Sequence, residues 1–212
     1  KLDQFETYKR NEIEESIHSK NIMIIRKYNK LNSMIHKQNL KKYENQIEFV
    51  NNDNLTIRDV LNNNNLNVFL EQISFSKKLP IIRQLGSDLS IENKIFITKG
   101  NISEITPLLC TTYNRTFIHI LKGSVNICLF SSNHKNNLEL ENDNLPFLKS
   151  SLDKNSKNFE NKKKDQIEII LREGNILFLP NNWSFYIKYN QNTLFLTYTF
   201  NTIVSKLVNL IY

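Results

Sequence analysis

The amino-acid sequence predicts a mainly β fold, in which a sandwich or barrel of short strands follows a partly helical N-terminal part. From about residue 95 onwards, short runs of β-branched and aromatic residues recur at close intervals. Turn-forming residues, several of them glycines, separate most of these runs. Earlier in the chain, apolar residues recur at the spacing of a helix face. Many short strands with regular turns are typical of a β-sandwich or barrel.

Seven runs are predicted strands because each is short, rich in β-branched or aromatic residues and bounded by turn signals. They cover residues 95–98, 116–121, 125–130, 167–171, 176–179, 184–189 and 193–200. The turn signals are Lys99-Gly100, Lys122-Gly123, Glu173-Gly174 and the Pro-Asn-Asn sequence at 180–182. Because Lys122-Gly123 separates two adjacent runs, we predict a β-hairpin at that position.

The chain divides into an N-terminal part, residues 1–94, and a β core, residues 95–212. In the first part, apolar spacing predicts helices and strands in alternation, and a short amphipathic helix is expected at the end of the second. The predicted helices cover 3–20, 30–44, 56–61 and 201–212, and the predicted strands cover 21–26 and 46–50. A single helix over 5–44 is the alternative, although the β-branched residues at 22–25 argue against it.

Residues 131–166 interrupt the strand pattern with few apolar residues, many Asn and Ser, and charges of both signs. A stretch of this length without structure is unusual inside a compact domain. We interpret it as a low-complexity insertion within a hairpin, which is mobile and dispensable for folding. A partner-binding loop is the alternative.

Length and composition indicate one domain of 212 residues that can build a core without disulfides or metals. Alanine is absent and Asn, Lys and Ile abound, a bias typical of A/T-rich coding sequence. The net charge of +7 is therefore interpreted first as solvated surface, with an anionic partner such as RNA as the alternative.

Two cysteines, Cys110 and Cys128, are too few for a disulfide scaffold, so an intracellular, reducing compartment is expected. No apolar run approaches the roughly 18 residues that span a bilayer. No segment has the pattern of a secretory signal, although a chain beginning at Lys1 is compatible with a leader removed earlier. Nucleotide-binding, serine-hydrolase and HExxH motifs are absent from the sequence.

Three segments together resemble a known family. They are ITPL at 105–108, TFIHILKGSVNICLF at 116–130 and REGNILFLPNNW at 172–183. This combination is similar to the JmjC and cupin-like hydroxylases, which are Fe(II)- and 2-oxoglutarate-dependent oxygenases. The resemblance implies a double-stranded β-helix, that is a cupin or jelly-roll barrel, and it is diagnostic only over about 96–200.

The resemblance also assigns slots for the iron ligands, which are two histidines and one carboxylate on one face of the metal. The first histidine slot is Leu109, the carboxylate slot is Thr111, and the second histidine slot is Phe185. The lysine that often holds 2-oxoglutarate in the family corresponds to Val125. None of these four residue types can hold the iron or pair with the cosubstrate, so neither cofactor is expected.

Several other residues are secondary candidates. Cys110, His119 and Cys128 are the one set that could form a rebuilt metal site, although soft thiolates suit zinc or copper better than oxygenase iron. A small anionic ligand at the barrel mouth would be held by residues expected to line it, which are Tyr113, Arg115 and Lys188. The aromatic residues expected to point into the interior or its mouth are Phe178, Trp183 and Phe185.

The sequence therefore predicts a catalytically inactive JmjC/cupin-like domain that serves as a structural or protein-binding subunit of a larger assembly. One alternative is an active hydroxylase of protein or RNA with an atypical site. The other is an RNA-facing accessory protein of a ribonucleoprotein.

Overall fold

The architecture is taken from a computed structural model, which describes residues 2–6, 10–19, 21–26, 69–71, 90–130, 140–141, 147–150 and 166–203. The described strands are β1 (Leu2–Phe5), β2 (Ile22–Ile25), β3 (Phe69–Glu71), β4 (Ser90–Gly100), β5 (Leu109–Thr111), β6 (Arg115–Lys122), β7 (Ser124–Phe130), β8 (Leu140–Glu141), β9 (Phe147–Ser150), β10 (Ile167–Arg172), β11 (Ile176–Pro180), β12 (Ser184–Tyr189) and β13 (Thr193–Thr202). The described helix is α1 (Arg10–His18).

The described strands form two sheets. The seven-stranded sheet has the order β1-β2-β11-β6-β13-β4-β3, and the six-stranded sheet has the order β10-β7-β12-β5-β9-β8. Adjacent strands in both sheets pair antiparallel, except that β1 runs parallel to β2. The fold is therefore mainly β with two sheets, as the strand pattern of the sequence predicts.

All seven predicted strands are present, but the predicted hairpin at Lys122-Gly123 is wrong. Strand β6, which precedes this turn, has both edges occupied by β11 and β13 in the seven-stranded sheet. Strand β7, which follows it, lies in the six-stranded sheet between β10 and β12. The turn therefore carries the chain from one sheet to the other, and Gly123 adopts the positive φ of 86° that this requires.

The first predicted helix is shorter than expected, because residues 2–5 form a strand and α1 begins only at Arg10. The side chain of Asp3 in β1 is hydrogen-bonded to α1 and to the residue before β2. The Asp3 carboxylate accepts hydrogen bonds from Ser16 Oγ at 2.8 Å and from Asn21 Nδ2 at 3.0 Å. Strand β2 confirms the strand predicted at 21–26 and excludes a single helix over 5–44. The helices and strand predicted at 30–44, 46–50 and 56–61 lie outside the described residues, as does most of 201–212.

The segment 131–166 is flanked by strands β7 and β10, which pair antiparallel with Leu129 opposite Ile167, as expected for an insertion within a hairpin. It is not without structure, however, because β8 and β9 lie within it and β9 pairs with β5. The Phe147 side chain at the start of β9 is completely buried. The expectation of a segment without structure is therefore wrong at residues 140–141 and 147–150, and its dispensability for folding stays a prediction.

The core lies between the two sheets, because side chains alternate along each strand and one set from each sheet faces the other. The interior cluster draws on both sheets: Ile118, Ile120, Leu177, Leu179 and Phe195 from the seven-stranded sheet, and Leu109, Val125, Ile127, Leu129, Leu171, Phe185, Ile187 and Tyr189 from the six-stranded sheet. We call these facing surfaces the interior faces and the opposite surfaces the outer faces.

The outer face of the seven-stranded sheet is also buried. Phe117 packs there against Phe178 and Phe200, with ring centroids 5.1 Å and 5.9 Å apart. Phe178 therefore does not point into the interior, contrary to the prediction, because its neighbours Leu177 and Leu179 occupy that side of β11. Within the described part of the chain, no helix has the length and apolarity needed to cross a membrane.

Gly100, the last residue of β4, provides a test of the interior packing. A Cβ at this position would overlap the ring of Tyr189, which is buried and stacked on Phe195. Because the ring has no room to move, Gly100→Ala should lower the free energy of unfolding by about 1–3 kcal/mol, measured by urea denaturation. The same substitution should cost less in a Tyr189→Leu background, and an equal cost in both backgrounds would contradict this packing.

Candidate functional site

The three residues at the expected ligand slots lie together on the interior face of the six-stranded sheet. Leu109 in β5 is the direct cross-strand partner of Phe185 in β12. Thr111 lies two residues after Leu109 on the same strand, so it shares that face. All three are buried, with at most 2% of their surface exposed. The structure therefore brings the three slots into one cluster, which is the candidate site.

Thr111 closes a turn rather than facing a ligand. Its hydroxyl donates a hydrogen bond to the Pro180 carbonyl at 2.7 Å and accepts one from the Trp183 backbone amide at 2.9 Å. The turn between these two residues contains Asn182, whose φ of 67° is unusual for a residue other than glycine. The threonine side chain thus satisfies one buried and one partly buried backbone group at the position that the resemblance assigns to a carboxylate ligand.

Phe185 fills the interior together with Phe147 from β9. Their rings meet edge to face, with centroids 4.8 Å apart and an interplanar angle of 85°. This geometry suits aromatic pairs and adds to the stabilisation from burial. Phe147 falls in the segment interpreted as low complexity, so sequence reasoning missed its part in the site. The sole signal was the short apolar run LPFL at 145–148.

Val125 is likewise an interior residue. It lies in β7 opposite Leu171 of β10 and Tyr189 of β12, and it is completely buried. Its surroundings are therefore apolar on both sides, and they offer no cation to a carboxylate. Trp183 is half-buried and packs at the margin of the same cluster.

The cluster does not fit iron and 2-oxoglutarate. Facial-triad iron requires two imidazoles and a carboxylate, and the slot residues supply an isobutyl group, a phenyl ring and a hydroxyl already bonded to the backbone. Charged groups placed among these side chains would lose hydration without gaining partners. The arrangement packs the ends of β5 and β12 together and offers no group for proton transfer or metal binding.

Threonines on the interior face of the seven-stranded sheet are a feature that sequence reasoning missed. Thr116 in β6 and Thr199 in β13 are cross-strand partners. Thr197 lies two residues before Thr199 on β13, and Thr98 lies on β4, the other neighbour of β13. Their hydroxyls are buried and find no hydrogen-bond partner among the residues that the structure describes. Both faces of β13 are covered.

The residues considered for a rebuilt metal site do not converge. Cys110 and Cys128 alternate with Leu109, Ile127 and Leu129, which face the interior, so both lie on the outer face of the six-stranded sheet. His119 lies on the outer face of the other sheet, since Ile118 and Ile120 face the interior. Within the described ranges, no group of three or more His, Cys, Asp or Glu residues could hold a metal ion.

Both cysteines are buried, and neither forms a disulfide. Burial raises the pKa of Cys128, and the negative charge of Glu168 raises it further, against a lowering by Tyr186 and Lys188. A thiol that stays protonated is a poor nucleophile and a poor metal ligand.

Arg115, Tyr113 and Lys188 do not form the expected anion site at a barrel mouth. The Arg115 guanidinium binds both carboxylate oxygens of Glu14 in α1, at 3.1 Å and 3.0 Å, and so ties the helix to the outer face of the seven-stranded sheet. Lys188 is exposed on the outer face of the other sheet, opposite Ile105. Tyr113 is half-buried between β5 and β6.

His119 gives the fold a pH dependence with a definite sign. Burial lowers the pKa of His119 from 6.5 to about 4, and its Nδ1 lies 3.4 Å from the Tyr198 hydroxyl. Between these pH values the unfolded chain binds the proton and the folded chain does not, so stability falls as the pH falls through this window. The contribution is at most about 1.4 kcal/mol per pH unit for one proton.

Urea unfolding between pH 7 and pH 4.5 checks this. His119→Gln should flatten the pH dependence relative to the parent chain, whereas His18→Gln, which changes an exposed histidine of α1, should leave it unchanged. Equal slopes for the parent chain and His119→Gln would contradict a buried, neutral His119.

No protein-family model matches this chain, and no curated protein matches it either. The interpretation of the site therefore depends on its own geometry and chemistry.

Proposed function

We propose that this chain is a catalytically inactive domain of the JmjC/cupin-like type, built on a double-stranded β-helix, which acts as a structural or protein-binding subunit. The observation that carries the proposal is the direct pairing of Leu109 with Phe185, closed by Phe147. In this proposal a packed apolar cluster stands where the resemblance assigns the metal ligands.

The order of the strands supports the fold part of the proposal. Strands β4, β6, β11 and β13 are neighbours in one sheet, and β5, β7, β10 and β12 are neighbours in the other. Successive members of this set mostly alternate between the sheets along the chain, and strands distant in sequence pair with each other, such as β4 with β13. Two interleaved four-stranded sheets of this kind are the arrangement of a jelly roll.

The chemistry of the cluster supports the inactive character. A scaffold and the site it carries are separable, so a fold can persist after its catalytic residues are replaced. Replacement of polar ligands by well-packed apolar groups removes the cost of burying charge and stabilises the domain. A domain without a catalytic site would act through its surface, and its role would therefore be to bind other proteins or to hold them in an assembly.

Affinity purification of the tagged chain from its native source tests the role. We expect protein partners in stoichiometric amounts that remain bound after nuclease treatment and in moderate salt. Partners lost on nuclease treatment, together with a steep salt dependence, would instead favour the RNA-facing alternative. Recovery of the tagged chain alone, at native concentration and under mild conditions, would contradict a subunit role.

A further inference from the structure

A polar cleft of about 240 Å³ lies between the edges of the two sheets, away from the interior cluster. Strands β1 and β2 extend the seven-stranded sheet beyond β11, and β10 is the outermost described strand of the six-stranded sheet. The cleft lies between them, with exposed apolar surface from Leu2 and Ile170, the almost fully buried Ile24 and Ile169 beneath it, and the basic residues Arg26 and Arg172 in its lining.

The buried side-chain amide of Asn175 holds the backbones of the two arginines close together. Asn175 Nδ2 donates a hydrogen bond to the Arg26 carbonyl at 2.6 Å. Asn175 Oδ1 accepts one from the Arg172 backbone amide at 3.0 Å. The Asn175 side chain, which is 7% exposed, thus joins the end of β2 to the end of β10.

The Arg26 guanidinium is oriented but not neutralised. Its Nε and Nη2 both donate to the neutral Gln4 Oε1 on the neighbouring strand β1. Among the residues that the structure describes, no carboxylate pairs with Arg26 or with Arg172. A pair of unneutralised guanidinium groups with fixed backbones is suited to an oxyanion, because guanidinium groups form strong charge-assisted hydrogen bonds to carboxylates.

The acidic residue of the cleft lies at a distance from Arg172. Glu168 precedes Arg172 by four residues on β10, which corresponds to about 13 Å along an extended strand. Its carboxylate accepts a hydrogen bond from Asn126 Nδ2 at 3.1 Å. Ile170, whose side chain is exposed, lies between Glu168 and Arg172 on the same strand and lines the cleft with them.

We propose that this cleft binds a small carboxylic acid with an apolar body, with the carboxylate at Arg26 and Arg172 and the body against Leu2 and Ile170. The volume lies below the 300 Å³ or so at which drug-sized sites begin, so the acid is small. The proposal is independent of the inactive-oxygenase proposal, because none of the four family slot residues lines the cleft.

Hexanoate is the probe for this site, titrated into the ¹⁵N-labelled chain and followed by NMR through the Asn175 side-chain amide. We expect saturable binding. Arg26→Gln and Arg172→Gln should each weaken it at least about tenfold, because each removes a charged hydrogen-bond donor. The matched control is Lys188→Gln, which makes the same charge change on the exposed outer face and should leave binding within about twofold.

Two further probes separate the parts of the proposal. Hexanol, which keeps the apolar body without the charge, should not saturate the site, and inorganic phosphate should bind more weakly than hexanoate. Hexanoate affinity that is unchanged in folded Arg26→Gln and Arg172→Gln would overturn the proposal. Phosphate binding as tight as that of hexanoate would also overturn it, because the apolar surface would then contribute nothing.

Discussion

Phe147→Ala should lower the free energy of unfolding by about 3–5 kcal/mol, the usual cost of removing a fully buried phenylalanine from a core. Phe147 has no exposed surface, and its ring meets that of Phe185 edge to face. Truncation would leave a cavity beside Phe185 and remove the aromatic pair. Urea denaturation with an unchanged m-value would measure the loss directly.

The matched comparison replaces residues 151–165 by a Gly/Ser linker of the same length, because β9 and β10 lie four strands apart in the six-stranded sheet and the chain must still span that distance. The composition of 151–165 is poor in apolar residues, so the sequence predicts a change in melting temperature of only a few degrees. If Phe147→Ala is as mild as this replacement, the assignment of Phe147 to the core is wrong. If the replacement unfolds the chain, the side chains of residues 151–165 contribute to the folded core as well.

Thr111→Val should lower the free energy of unfolding by about 1.5–4.5 kcal/mol, since it leaves the buried Pro180 carbonyl without a partner, at about 1–3 kcal/mol, and removes the partly buried hydrogen bond of the Trp183 amide, at about 0.5–1.5 kcal/mol. Valine matches threonine in shape but offers neither the donor that Pro180 requires nor the acceptor that the Trp183 amide requires. The loss therefore reports the hydrogen bonds rather than the packing.

Thr111→Ser is the control for this effect, because serine keeps the hydroxyl and removes only a methyl group. It should retain most of the stability that Thr111→Val loses, when both are measured by thermal or urea unfolding. Equal losses for the two variants would contradict the assignment of the Thr111 hydroxyl as the group that closes the 180–183 turn.

The sequence predicted individual strands well because β-branched and aromatic runs are a local property. It did not predict how the strands are shared between sheets, which depends on contacts between distant parts of the chain. Lys122-Gly123 illustrates this, since the same turn signal serves a hairpin and a crossing between sheets. The helix start at Arg10 rather than residue 3 has a similar cause, because β1 is stabilised by pairing with β2.

The site was predicted in part. The resemblance grouped Leu109, Thr111 and Phe185, and the structure has Leu109 directly opposite Phe185. Phe147 was missed because the composition around 131–166 is polar, and the burial of the threonines in β13 has no local signal because it depends on contacts between distant strands. Cys110, His119 and Cys128 share a short stretch of sequence, yet the chain changes sheet on either side of β6, so that His119 lies on one outer face and the two cysteines on the other.

Succinate formation from 2-oxoglutarate is the most direct test of the inactive-oxygenase proposal. The purified chain is incubated with Fe(II), ascorbate and 2-oxoglutarate, with and without candidate protein substrates, and succinate is compared with a metal-only blank. We expect no succinate above the blank, because Leu109, Thr111 and Phe185 provide neither imidazole nor carboxylate and Val125 provides no cation. Succinate above the blank that rises in proportion to the protein concentration, and is lost when the chain is heat-denatured, would contradict the proposal.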